Sequence, residues 1–164
     1  MERLLSTMRL DAKVQVRHKF YHVSVGAALL MGLGVRQLGD SQLVTTVLAV
    51  LFLVAVGVMA AAYAAALVVF ERDQHTLDAM FVSPLRLGEY LGSKIATLTA
   101  VVLVEGVVLV LVAVGLLGTN WPLLLIGAAL LGAEMTLVGI ILIVRYATIT
   151  DFLIPSSFIL ALLE

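Results

Sequence analysis

Residues 43–70 read LVTTVLAVLFLVAVGVMAAAYAAALVVF, without one charged side chain, and residues 71–94 then read ERDQHTLDAMFVSPLRLGEYLGSK. The first stretch decides the fold. The hydrocarbon core of a bilayer is crossed by about 20 consecutive apolar residues in a helix, and this run has length to spare for tilt. Backbone groups in lipid must satisfy one another, so an apolar run of this kind is a helix packed among helices. The second stretch ends it abruptly with Glu71-Arg72-Asp73 and is the one long polar break inside an otherwise apolar sequence.

Working outward, four further apolar runs appear. Phe20 to Leu38 is short and carries Gly26, Gly32 and Gly34. Ile95 to Gly118 is interrupted only by Glu105, and Trp121 to Val144 only by Glu134. Phe152 begins a run that reaches Glu164, too short to cross a bilayer. The expectation is an all-α, polytopic membrane helix bundle forming one domain over residues 1–164. It has four full transmembrane helices at 20–38, 43–70, 95–118 and 121–144, a partial fifth at 152–164, and a chain that is a piece of something longer. Composition agrees: the 164 residues are 62% hydrophobic and 13% charged, against about 45–50% and about 25% in soluble domains. Mean hydropathy is +1.15.

Orientation follows from the basic residues, which accumulate on the cytoplasmic side. With the N-terminus inside, Arg3, Arg9, Lys13, Arg17, Lys19, Arg72, Arg86, Lys94 and Arg145 are all inside and Arg36 alone is outside. Phe20 and Tyr21 then mark the inner boundary and Trp121 the outer one. The expected location is the plasma membrane. A cleaved signal peptide is disfavoured, because Glu2 and Asp11 sit among the basic residues and no small-x-small site follows the apolar core.

Residues 1–19 have the pattern of an interfacial helix. Leu4, Leu5, Met8, Ala12 and Val16 share one face, and Arg9, Lys13 and Arg17 follow at steps of four on another, which suits anionic lipid. In the second span Gly57, Ala61 and Ala65 recur at steps of four, which allows a neighbouring helix to come close.

Ten uncharged residues separate Lys94 from Glu105, and ten more separate Glu134 from Arg145. The stretch Gly118-Thr119-Asn120-Trp121-Pro122 is a turn, with Pro122 suited to a helix start. A symmetric hairpin about Thr119-Asn120 places both glutamates level, roughly 22 Å below the tip, with Lys94 and Arg145 at the inner surface. Ionisable residues at such depth mark ion, proton or substrate paths. Glu105 and Glu134 are therefore the candidates for a translocation path or proton relay. The alternative is two carboxyls bonded to neighbouring helices for packing.

Within the break, Leu77, Met80 and Phe81 recur at helical spacing. Ser83 can cap a second helix with Pro84 at its first position, and Leu87, Tyr90, Leu91 and Lys94 lead that helix into the next span. The break thus reads as helix, turn and helix on the cytoplasmic side.

Glu71-Arg72, Thr76-Leu77-Asp78, Val82-Ser83-Pro84, Glu89-Tyr90-Leu91 and Lys94 together resemble the signature region of type-2 ABC export permeases. There an acidic-basic pair precedes G-T-L-E, V-[ST]-P, E-Y-L and a closing Lys. The segments Arg9-Leu10-Asp11 through Phe20-Tyr21 and RYATITDFLIP at 145–155 resemble the fluoroquinolone-type export permease subgroup. The chain departs from the pattern in having His75 for Gly and Asp78 for Glu.

The resemblance implies six transmembrane helices per permease and an N-terminal amphipathic helix. It further implies a paired second permease subunit, identical or different, and a separate ABC ATPase subunit docked through a coupling helix between the second and third spans. Carried over by position, Glu71, Thr76, Leu77, Asp78, Ser83 and Pro84 belong to that docking region, and the periodicity adds Met80 and Phe81. The activity implied is multidrug efflux.

The chain has no G-x-x-x-x-G-K-[ST] loop, so ATP hydrolysis, with its Mg, falls to the partner and no cofactor is expected on this chain. It lacks cysteine, which excludes thiolate metal sites, disulfides and a cysteine nucleophile. His18, His22 and His75 are too scattered for a metal site, and no hydrolase constellation is present. No nucleic-acid partner is expected. The leading expectation is the membrane subunit of an ATP-driven exporter and not an enzyme. The alternatives are a proton-coupled carrier or small channel using Glu105 and Glu134, and a non-transporting accessory membrane protein.

Overall fold

The structure, a computed structural model, describes residues 2–39, 41–74, 87–116, 119–146 and 151. Five helices account for nearly all of them: α1 (Glu2–Arg17), α2 (Phe20–Arg36), α3 (Ser41–Asp73), α4 (Leu87–Val114) and α5 (Trp121–Ile143). No strand occurs among the described residues. Helices α3, α4 and α5 are long and apolar enough to cross a membrane, whereas α2, at 17 residues, is apolar but shorter.

The helix boundaries have local causes. Helix α1 turns into α2 at Lys19, which adopts left-handed backbone angles (φ 61°) and bonds its N–H to the Val16 carbonyl at 3.0 Å. One left-handed residue is a common way to close a helix and redirect the chain. Helix α4 stops at Val114, where Gly115 takes φ 84° and donates to Leu111 O; such angles come at no steric cost to glycine. Helix α5 begins as expected of its turn sequence: the Asn120 side chain accepts from Leu123 N at 3.3 Å and Pro122 occupies the first turn.

Helices α2 to α5 alternate in direction, and α1 runs the same way as α2 and α4. The lower layer joins Phe20, Tyr63, Leu67 and Leu98; the upper one joins Ala28, Ala55 and Leu109. The inner-boundary aromatics and the charged ends of α3 and α4 therefore share one end, and Trp121 lies at the other. Helix α4 touches each of the other four helices and is the axis of the bundle.

Close packing follows the small residues. Gly57, Ala61 and Ala65 are all buried. Ala61 faces Gly139 of α5 so tightly that a Cβ on Gly139 would fall 2.5 Å from the Ala61 carbonyl oxygen. This is small-residue packing of the kind that replaces hydrophobic driving force inside a bilayer.

Two expectations need correction here. The glutamates are not level. Gly132 packs against Val102 and Thr99, so Glu134, two residues further along α5, is level with the turn of α4 below Val102. Glu105 stands more than a helical turn nearer the Trp121 end. The cause is the connection: α4 ends well before Thr119-Asn120, so the hairpin is not symmetric about that point. Lys94 stands at the charged end of the bundle, level with Glu71, but it is fully buried between helices and not open at a surface. The partial fifth helix at 152–164 lies outside the described residues.

Candidate functional site

The polar break opens at Glu71, on the last turn of α3, and closes at Lys94, in the second turn of α4. The fold brings these two residues together. The Lys94 ammonium donates to Glu71 Oε1 at 2.5 Å and to Asp11 Oδ1 of α1 at 3.4 Å. It also sits over the Tyr90 ring, 4.7 Å from its centroid. Tyr90 Oη donates to the other Glu71 oxygen at 2.6 Å, and Ser93 Oγ donates to Asp11 Oδ2. Above them, Gln15 Nε2 of α1 donates to Thr97 Oγ1 at 2.9 Å, and Thr97 Oγ1 donates in turn to the Ser93 carbonyl.

Helical spacing explains why these residues meet. Tyr90, Ser93, Lys94 and Thr97 recur at i, i+3, i+4 and i+7 and form one stripe at the start of α4. Asp11 and Gln15, four apart, form the matching stripe on α1. Two carboxylates meet one ammonium, and the hydroxyls of Ser93 and Tyr90 supply further donors. A buried charge is tolerated when it is paired and its remaining acceptors are hydrogen-bonded, and this cluster meets both conditions. Its mechanical consequence is that α1 and the two ends of the break are tied at a single point. Beside it, Arg72 donates to the Tyr146 carbonyl at 2.8 Å, linking the end of α3 to the chain leaving α5, and His18 stacks on Phe70 with ring centroids 4.4 Å apart.

Sequence reasoning placed Glu71 among residues available for docking; in the structure its carboxylate is turned toward Lys94 and Tyr90. Thr76, Leu77, Asp78, Met80, Phe81, Ser83 and Pro84 lie outside the described residues. Asp11, Gln15, Ser93 and Thr97 were missed. The available signal was a lone Asp on an otherwise basic helix and a polar stripe opening an apolar one. The face of α1 turned to the bundle is accordingly centred on Asp11 and Gln15, with Met8 and Ala12 half-buried, while Leu10 and Val16 are exposed. The helix leaves these apolar side chains uncovered and is anchored to the bundle through its polar face.

Within the membrane the two glutamates part company. Glu105 is fully buried, close to Ser24 of α2 and Tyr63 of α3. Glu134 is exposed on the outer face of α5 among Ile126, Leu130, Leu137 and Ile141. They do not face each other. Nearer the Trp121 end, a cleft of about 640 Å³ opens between α3, α4 and α5, walled by Leu48, Phe52, Val110 and Val114 and edged by Thr119 and Asn120. Apolar walls with a few polar groups at the rim suit an amphipathic molecule.

Comparison with known proteins adds the family. Two proteins from Mycobacterium tuberculosis, each described as a fluoroquinolones export permease protein, are similar to this chain. One is from strain CDC 1551 / Oshkosh and the other from strain ATCC 25618 / H37Rv. Each is 29% identical over 170 residues, a match covering 99% of this chain and 68% of the relative. No solved structure matches significantly. The model of the fluoroquinolones export permease protein family matches residues 2–164, continuously through the tied cluster, the break and the apolar helices, and the chain belongs to that family.

Proposed function

We propose that this chain is the membrane-spanning part of an ATP-driven exporter, oriented with its N-terminus in the cytoplasm and seated in the plasma membrane. It pairs with a second permease subunit and takes its energy from a separate ABC ATPase subunit. The chain has no phosphate loop of its own, so its role is to convert a partner's nucleotide cycle into movement of helices, without enzymatic chemistry. In this reading α2 is a short fourth transmembrane helix beside α3, α4 and α5, and Leu77, Met80 and Phe81, which the sequence spaces as one helical face, are the residues that contact the ATPase subunit. The relatives' printed descriptions favour fluoroquinolones, or molecules of similar amphipathic character, as cargo.

The observation that carries this reading is the tie between Asp11, Glu71 and Lys94. A force applied to the break reaches α1 and α4 through the charge–charge contacts of Lys94, and α4 touches every other described helix. The arrangement is what a lever needs: a handle in the cytoplasm, a rigid joint at the membrane face, and a shaft through the bundle.

The test is purification of the full natural protein from membranes. An ATPase subunit should co-purify, and Leu77→Glu or Phe81→Asp should lose it without lowering the thermal stability of the permease. Undiminished ATPase binding in both variants would remove these residues from the docking surface. Export driven by a proton gradient in the absence of ATP would replace the reading with a proton-coupled carrier.

A further inference from the structure

Glu105 is the one described carboxyl with no exposure at all, and neither of its oxygens has a hydrogen-bond partner. It stands eleven residues above Lys94 and nine below Val114, roughly 16 Å and 14 Å along the helix axis. Those distances place it deep in the apolar part of the bundle.

Each neighbouring element can be asked what it offers. Helix α2 presents Ser24, whose hydroxyl adjoins the carboxyl; its own ionisable residues are elsewhere, with His22 exposed and Arg36 at the far end. Helix α3 presents Tyr63, whose hydroxyl accepts from Ser24 Oγ at 2.8 Å; its charged residues, Glu71, Arg72 and Asp73, are at the inner end. Helix α5 brings no charge, since Glu134 is on its outer face. Helix α1 ends lower down, where Gln15 reaches Thr97. On α4 itself, Lys94 is held by Asp11 and Glu71. No cation among the described residues faces Glu105.

An ionised carboxylate taken out of water without a counter-ion or hydrogen bonds is among the costliest arrangements a protein can hold. Some positive charge must accompany this one. Beside it, a Cβ on Gly106 would meet the Phe52 ring at 2.8 Å, and the same ring walls the outer cleft. Phe52 thus stands between the cleft and the level of Glu105. The ligand that needs no added volume is a proton.

We propose that Glu105, flanked by Ser24 and Tyr63, is a proton-binding site that is loaded in this enclosed arrangement of the bundle and released when the helices part. Loading forms one O–H bond on the carboxylate with a proton from water, and release returns that proton to water; no other bond changes. The release step rests on the transport reading, and the loaded state does not.

The experiment is infrared difference spectroscopy of the full natural protein in lipid nanodiscs, without any ATPase subunit. At neutral pH the wild type should show the carbonyl band of a protonated carboxylic acid. Glu105→Gln should lose that band, Glu134→Gln should keep it, and Ser24→Ala should displace it by removing the neighbouring hydroxyl. A neutral-pH spectrum from which Glu105→Gln removes no acid band overturns the proposal. So does a band that stays in place in Ser24→Ala, a variant expected to fold even if the Glu105 variant does not. Since the readout needs neither ATP nor transport, failure to find an ATPase partner would leave it intact.

Discussion

Lys94 and Glu105 stand on the same helix, eleven residues apart, and both are fully buried, yet their surroundings are opposite. Lys94 has two carboxylates, an aromatic face and a shell of hydroxyls drawn from three helices. Glu105 has no cation, no completed hydrogen bond and two hydroxyls bonded to each other. The difference separates two uses of buried charge. At Lys94 the charges satisfy one another and hold helices in register, so the group belongs to the architecture. At Glu105 nothing in the architecture compensates the charge, so the group is suited to changing its state.

The sharpest way to break this comparison is to remove the cation at Lys94. Lys94→Met keeps the length and apolar bulk of the stem but takes the ammonium away from buried Asp11 and half-buried Glu71. Removing one member of a buried ion pair destabilises by about 3–5 kcal/mol, and a loss toward the lower end is expected here because Glu71 is half-buried and keeps Tyr90 as a donor, as Asp11 keeps Ser93. Denaturant unfolding in detergent micelles checks it. The triple variant Asp11→Asn, Glu71→Gln, Lys94→Met removes every charge at once and should recover most of the loss, since the penalty lies in the uncompensated carboxylates. A triple variant as unstable as Lys94→Met alone would show that the stem's packing, and not its charge, matters.

How much of this contrast could be read from the sequence divides along a physical line. Length and hydropathy specify helices well. The uncharged run 43–70 lies inside α3, Asn120 and Pro122 start α5 where their chemistry demands, and Ala61, the middle of the Gly57-Ala61-Ala65 steps, finds a close neighbour in Gly139. What apolar helices do not carry is azimuth. When nearly every position is Leu, Val or Ala, both faces look alike, and no periodicity tells which turns inward. The burial of Glu105 and the exposure of Glu134 follow from which small residues pack, and only the assembled bundle reveals that. The Asp11 contact was hidden for another reason. Its partners lie more than eighty positions away, and a polar stripe on a surface helix has the same local pattern whether it faces water or a buried lysine. The level of the two glutamates failed because it assumed helix to the very tip of the hairpin, and α4 ends at Val114.

The second test acts on the other member of the pair. Glu105→Gln replaces a carboxyl by its neutral isostere. If the architecture drew on a charge here, as it does at Lys94, this change would cost several kcal/mol. Because no cation faces it, the change in unfolding free energy should stay below about 1 kcal/mol, in the range of substitutions that break no network. The same micelle unfolding experiment, run beside Lys94→Met, measures both on one scale. Equal losses in the two variants would erase the distinction between them.

The smallest effect is expected at Glu134, and it isolates what burial contributes. Glu134 shares with Glu105 its chemistry and its place in an apolar helix, but it points away from α3 and α4. Among its outward neighbours are Ile126, Leu130, Leu137 and Ile141, all exposed on α5. Glu134→Leu continues that apolar face without entering any contact made inside the bundle. Surface substitutions away from packed or bonded features stay within about 0.5 kcal/mol, and this one should too when unfolding is followed in detergent, where the outer face is covered in either form. A larger loss would mean that α5 is rotated from the arrangement described, with Glu134 turned toward α4. The Gly139–Ala61 contact argues against such a rotation, because Gly139 lies about 140° around the helix from position 134 at 100° per residue, and only a glycine there allows α3 to come so close.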